Sequence, residues 1–278
     1  MRKAKIQKRK TIRRIRAKSI KPRSRAEHRP GNSQLRRREG RDDGREQRTA
    51  NSKQRTQQTH KLNMHSHTPA VLATLFLASA ASAFADLDRL VLPPPLAQAG
   101  HFQFLTNIAL AITTTYFSFS LLCHVYPCHL LLRGKTYLSA LALSLNVVVS
   151  VVYWSLRLFV PHLIMADPTK DSIPLSLDLR LHLLPFLATA VDYFACMPRW
   201  DISYATAYAI FTAAASSYWF WLEYLISPHN GQMYPYPFLN VPQDVRVVIF
   251  AFVGSIGFAA FCAGKALHSG DSKAKTKV

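Results

Sequence analysis

Within the apolar part of this 278-residue chain, residues able to do chemistry are few, and four of them fall at related places: Thr106, Arg157, His182 and Glu223. A hydroxyl nucleophile needs a nearby base to take its proton, and a histidine on another helix at matching depth can serve. Thr106 and His182 suit those two roles. Asp178 stands four residues before His182. On a continuous helix that is one turn, where a carboxylate fixes the imidazole tautomer; in a loop the relation is lost. Each residue also has a plainer use. A threonine in a spanning helix bonds its own backbone one turn back. A histidine at a helix mouth is interfacial, Arg157 snorkels to headgroups or pairs with Glu223, and Trp219, Trp221, Tyr224, Tyr234 and Tyr236 form an aromatic belt.

A second cluster, Cys123-His124 followed by Cys128-His129, brings metal-ligating types together within seven residues. The spacing is not that of a common zinc motif and no second pair lies nearby, so the reading is core thiols with interfacial histidines. S-palmitoylation of Cys128 is an alternative. The chain has no Gly-rich phosphate loop and no serine elbow. Neither a metal nor a cofactor is expected.

These side chains need a frame, and hydropathy supplies one. Six stretches, near 69–86, 104–126, 137–160, 181–197, 203–226 and 245–266, approach the ~20 apolar residues that a hydrocarbon core demands of a helix. Backbone groups in lipid must be satisfied internally, so helix is the expected state. The fold class is therefore an all-α integral membrane protein, a bundle of about six transmembrane helices following a basic leader. Pro93-Pro94-Pro95, Arg133-Gly134-Lys135, 161–180, Pro198-Arg199-Trp200 and 227–244 read as connections. In this frame Thr106 opens the second span, Arg157 ends the third, His182 opens the fourth and Glu223 ends the fifth, all at one face. Asp192 is the one deep acid.

The leader, residues 1–63, is expected to be disordered. Residues 1–61 hold 23 of the 35 Lys and Arg but only five of the 15 acids, so they carry +18 of the chain's +20 charge. With almost no aliphatic or aromatic content, the leader buries too little to offset its ordering entropy. It reads as a nucleic-acid or anionic-lipid binder, as an Arg-rich targeting peptide, or as sequence upstream of the true start. The last is preferred, because Met64 lies just before the first apolar run. Residues 64–268 form the membrane domain and 269–278 a polar cytosolic tail. Met64 to Ala85 also has the form of a secretory signal, but the lack of Lys or Arg before its apolar run argues against cleavage. The Lys and Arg bias of the short connections puts both termini in the cytosol. Cys123, Cys128, Cys196 and Cys262 then fall toward the reducing side, and no disulfide is expected.

Three landmarks carry a resemblance: Phe104-Leu105-Thr106, His182-Leu-Leu-Pro185-Phe186, and Asn230-Gly231-x-x-Tyr234-Pro235-x-Pro237-Phe238. In order and spacing across 64–266, they resemble the androgen-induced gene family of multipass membrane threonine hydrolases, relatives of the androgen-dependent TFPI-regulating protein. The resemblance implies an enzyme that cleaves esters of fatty acids with hydroxy fatty acids, with Thr106 as nucleophile, His182 as base and no cofactor. Two features depart from it. Asp178 stands where members carry an amide or a histidine, and the chain adds a Pro-Tyr-like step near Tyr236.

On that reading Thr106 Oγ attacks the ester carbonyl and an acyl-threonine is hydrolysed by water that His182 activates. Asn107 and Asn230 are candidate oxyanion donors, and Phe102, Phe104, Leu105, Leu183 and Phe186 are the expected tail contacts. The expected partners are a lipid ester and the bilayer, with no nucleic acid, and the endoplasmic reticulum or another endomembrane is the default address. The rival is a non-catalytic membrane protein, a lipid-binding scaffold or small transporter. A transporter predicts paired interrupted helices and internal symmetry, which the sequence does not display.

Overall fold

The computed structural model describes residues 67–164, 173–227 and 230–268. The leader 1–63, the tail 269–278 and Lys170 lie outside the described residues. Within them the chain is helical with no strand. All six apolar stretches fold as helix: α1 (Thr68–Asp88), α2 (Leu105–Val125), α3 (His129–Phe159), the pair α4 (Leu175–His182) and α5 (Leu184–Val191), α6 (Tyr204–Leu225) and α7 (Gln243–Leu267). Local chemistry sets their ends. Tyr126 and Val160 each precede a proline, whose ring disfavours helical backbone at the residue before it, and each caps its helix in a non-helical conformation. Ser203 caps α6, its hydroxyl accepting the Thr206 N–H at 3.0 Å.

Four of these helices, α1, α2, α3 and α7, are long and apolar enough to cross a membrane alone, and the bent pair makes a fifth. The sixth expected span, α6, has the length at 22 residues. Its Tyr, Trp, Ala and Ser content leaves it less apolar than the rest. It packs along α7, which in turn packs along α3.

Two boundaries differ from the sequence expectation. Helix α3 begins at His129 rather than near 137, so Arg133-Gly134-Lys135 is helix and not a connection. The reason lies across the bundle, where the Lys135 ammonium meets the fully buried Asp192 carboxylate at 3.5 Å. The fourth span begins at Leu175 rather than 181 and is bent by 40° at Leu183. Pro185 accounts for the bend, because it cannot donate to the carbonyl one turn back and its ring collides with that carbonyl. His182 therefore ends the first half of a broken helix instead of opening a span. A short π-helical segment, Asp192–Cys196, continues α5.

The buried core joins Phe76 and Ala80 of α1, Tyr116 and Phe117 of α2, and Leu143 of α3 to Tyr193, Trp200 and Phe261. Near the Asp192 end, Tyr193 and Phe261 each stack on Trp200, at 3.8 and 5.3 Å, and the Trp200 indole donates to Ser139 at 3.2 Å. A smaller cluster joins Leu222 and Ile226 at the end of α6 to Tyr234 and Leu239 of the connection before α7, at the end where α2 starts and α3 finishes.

Candidate active site

One face of α3 and the last turn of α4 build a tight group around His182. On α4, Asp178 and His182 are one turn apart, and the Asp178 Oδ1 is 2.8 Å from the imidazole Nδ1. Asp178 is fully buried. A bare carboxylate there would be costly without compensation, and its second oxygen is ion-paired with the Arg157 guanidinium at 3.3 Å. Arg157 also donates to the Tyr153 hydroxyl at 3.1 Å. The Tyr153 ring in turn stacks flat on the imidazole, with centroids 3.4 Å apart and planes 5° apart. Ser150 completes the face by donating to the His182 carbonyl, a group placed at the proline bend. Three, four and seven residues separate Ser150, Tyr153 and Arg157, the spacing of a single helical face. Asp178 thus takes the helical position rather than the loop position.

Thr106 is the second residue of α2, nearly buried. It lines a half-open cavity of about 540 Å³ between α2, α3, α6 and α7. Against it lies Tyr236, from the 227–242 connection. The Tyr236 hydroxyl accepts the Leu105 N–H at 3.1 Å and sits beside the Thr106 hydroxyl and N–H. Burial pushes the Tyr236 hydroxyl above the usual tyrosine range, with the Thr106 and Leu105 donors pulling the other way. It is therefore a protonated donor at neutral pH. Phe238 stacks on its ring at 5.3 Å and Phe104 meets it edge-on at 5.9 Å.

That connection is tied down by Arg246 at the start of α7. Its guanidinium pairs with Glu223 at 3.2 Å and lies 4.0 Å from the centre of the Tyr234 ring. Tyr234 donates to Glu223 at 2.9 Å, and burial together with that bond pushes its hydroxyl up to about 12. On the facing side, Tyr218 donates to the Gln103 carbonyl at 2.8 Å and Trp221 to the Phe102 carbonyl at 2.9 Å. The positive φ of Gly100, 67°, turns the chain into this segment, a conformation glycine adopts without cost.

The sequence candidates therefore fall into three groups. Arg157, Asp178 and His182 come together. Thr106 stands at the cavity with Tyr236, and no hydrogen bond joins it to His182; Tyr153 links the two, lining the cavity and stacking on the imidazole. Glu223 pairs with Arg246 rather than Arg157. Of the expected oxyanion donors, Asn107 uses its amide on the His101 carbonyl at 2.8 Å, and Asn230 is exposed in a turn. Of the five expected tail contacts, Phe102 and Leu105 line the cavity, whereas Phe104, Leu183 and Phe186 do not. None of the four cysteines forms a disulfide, and among the described residues no group of His, Cys, Asp and Glu converges to hold a metal. Sequence reading missed Ser150 and Tyr153 and assigned Tyr236 to an aromatic belt. The i, i+3, i+7 spacing of Ser150, Tyr153 and Arg157 was the signal available.

Apolar helices around a greasy cavity, with the polar side chains gathered toward the ends, define a multipass helical membrane protein. The chain belongs to the FAR-17a/AIG1-like protein family, which it matches over residues 62–269; this is the androgen-induced gene family that its landmarks resemble. It is similar to a UPF0641 membrane protein of Saccharomyces cerevisiae, 32% identical over 205 residues that cover 68% of this chain and 86% of the yeast protein. A UPF0641 membrane protein of Schizosaccharomyces pombe is 28% identical over 169 residues, 60% of this chain and 75% of that protein. No solved structure matches.

Proposed function

We propose that the chain is an intramembrane lipid ester hydrolase acting on esters of fatty acids with hydroxy fatty acids. The observation that carries this reading is the buried Asp178–His182 pair, stacked through Tyr153 against the wall of a cavity that Thr106 also lines. A carboxylate on Nδ1 fixes the tautomer and leaves Nε2 as the nitrogen that acts as base. A lipid-binding scaffold or transporter would share the cavity but has no need of an oriented imidazole.

The Thr106 hydroxyl attacks the ester carbonyl carbon and its proton passes to His182. The resulting oxyanion takes a hydrogen bond from the Tyr236 hydroxyl and develops beside the N-terminus of α2, where the helix dipole favours negative charge. The ester C–O bond then breaks, His182 returns the proton to the departing hydroxy acid, and an acyl-threonine remains. Water, deprotonated by His182, releases the fatty acid. In the resting molecule Tyr153 stands between the cavity and the His182 ring, so the proton transfer requires Tyr153 to shift when substrate binds. An address in the endoplasmic reticulum or another endomembrane, with both termini cytosolic, belongs to the same proposal.

Treating the detergent-purified protein with a serine/threonine hydrolase probe tests it. Labelling of the wild type is expected, with loss in Thr106→Ala and in His182→Ala. Labelling that persists in Thr106→Ala rules out Thr106 as the nucleophile.

A further inference from the structure

The cavity that Thr106 lines is a half-open, elongated cleft with almost wholly apolar walls. Apart from Thr106, Ser217 and the Tyr and Trp rings, every lining residue is aliphatic, Phe or Gly. From the end that holds Thr106 it runs down α3 from Tyr153 to Leu141, down α6 from Trp221 to Phe211, and along α7 from Ile249 to Gly257. At ~1.5 Å of rise per residue these walls are about 12–18 Å deep. A methylene fills roughly the space of one liquid water, about 30 Å³, so a cavity of about 540 Å³ takes roughly one saturated chain of 16–18 carbons.

The deep end is shaped by residues without bulk. A Cβ added at Gly257 would meet Val148 at 3.5 Å and Phe211 at 3.7 Å, and one at Gly254 would meet Ala215 at 3.5 Å. Val148, Phe211 and Ala215 all line the cavity. These are ordinary contact distances, so a small side chain fits without moving the helices, and a larger one extends into the space itself. The missing side chains of α7 are what keep that end open.

We infer that the cavity is a sleeve for a single acyl chain, with Gly257 and Gly254 setting the longest chain it accepts, and that the second chain of a two-chain ester stays outside in the bilayer. The chain inside is the acyl half. Its carbonyl carbon is the one bonded to Thr106 in the acyl-threonine, so it must remain seated while water arrives. The hydroxy acid, branched where the ester oxygen joins it, is too broad for a single-file sleeve and departs sideways into lipid. This assignment rests on the hydrolase reading for which chain enters, but the sleeve and its gauge do not depend on turnover.

The test is made on the full chain carrying Thr106→Ala, where a failed nucleophile assignment cannot disturb the result. Photocrosslinking with an alkyl-diazirine analogue of palmitic acid is competed by decanoic, palmitic and docosanoic acids. Each methylene accommodated adds a roughly fourfold gain in affinity until the sleeve is full. Palmitic acid is expected to compete best, and docosanoic acid no better than palmitic. Gly257→Leu is expected to weaken palmitic acid by about tenfold or more, while decanoic acid stays within about twofold, which doubles as the control for folding. Ala215→Leu, on the opposite wall, is the second variant and is expected to act in the same direction. Affinity that keeps rising through docosanoic acid, or a Gly257→Leu and Ala215→Leu pair that leaves the order of chain lengths unchanged, overturns the sleeve. A sleeve that passes while the hydrolase probe fails to label Thr106 leaves a single-chain lipid-binding protein.

Discussion

At the level of single residues, the site depends on groups that orient others. Asp178 faces an imidazole on one side and a guanidinium on the other, so its charge is offset twice, and the His182 ring is held both at Nδ1 and by the Tyr153 stack. Tyr236 differs in setting its hydroxyl beside Thr106, the proposed nucleophile. Its oxygen accepts the Leu105 N–H, which leaves its own proton to donate into the cavity beside Thr106. Loss of one oxyanion donor costs about 100-fold in kcat, so Tyr236→Phe is expected to lower kcat by about that factor. KM should change little, because the hydroxyl acts on charge that develops only in the transition state. Turnover of a fatty acid ester of a hydroxy fatty acid measures this, with detergent-phase thermal unfolding as the control. A KM effect with kcat unchanged would make Tyr236 a ground-state contact instead. That Thr106 and His182 fall toward one end of the bundle, joined through Tyr153, was legible from apolar length. Tyr236 was not, because a tyrosine in a connection looks the same from sequence whether it sits in an interfacial belt or folds back over a helix N-terminus.

At the level of elements, the six helices were legible because apolar length is a direct signature of lipid. Their ends were less so, since those depend on partners far away in the chain. The start of α3 is the clearest instance. Lys135 reads as a loop charge until the π-helical turn after α5 brings Asp192 within 3.5 Å, with the Tyr116 hydroxyl donating to the same carboxylate. Asp192 is fully buried, and one of its oxygens has no hydrogen-bond partner, so this acid has little beyond Lys135 and Tyr116 to offset its desolvation. Removing Lys135 alone leaves a buried charge uncompensated, at a cost of about 3–5 kcal/mol, whereas neutralising both partners removes the penalty along with the attraction. Lys135→Met is therefore expected to lower thermal stability sharply, and Lys135→Met combined with Asp192→Asn to recover most of the loss. A double-mutant cycle followed by unfolding in detergent reads the coupling. Strict additivity of the two substitutions would mean that the pair is not a structural tie.

For the whole molecule, the question is how these helices lie across a bilayer. The bent pair α4–α5 bears on it most, since a re-entrant loop in its place would invert everything downstream. Its contacts with α3 favour a crossing: Asp178 meets Arg157 near one end of α3, and Asp192 meets Lys135 near the other. Those two α3 residues are 22 positions apart, about 33 Å along a helix, the thickness of a hydrocarbon core. With α6 counted by its length, six crossings put both ends of the 67–268 region on one side. The charge bias that orients them is altered by the structure, because Lys135 is engaged in the core and no longer counts as a loop cation. Arg133, exposed Arg199 and Lys265 remain at that end, against Arg89 and the paired Arg157, Arg180 and Arg246 near the other. The Arg180 guanidinium is bound to Asp86, so its charge is already answered. The expectation of cytosolic termini therefore survives with fewer charges behind it. Acceptor sites for N-glycosylation, inserted one at a time, check it. Sites after Leu90 and after Leu239 are expected to be glycosylated, and sites after Tyr126 and after Asp201 are not. The opposite pattern would invert the topology. Glycosylation after Leu90 but not after Leu239 would make the bent pair a re-entrant segment and put Tyr236 on the other side of the membrane from the start of α2, where it could not reach Thr106.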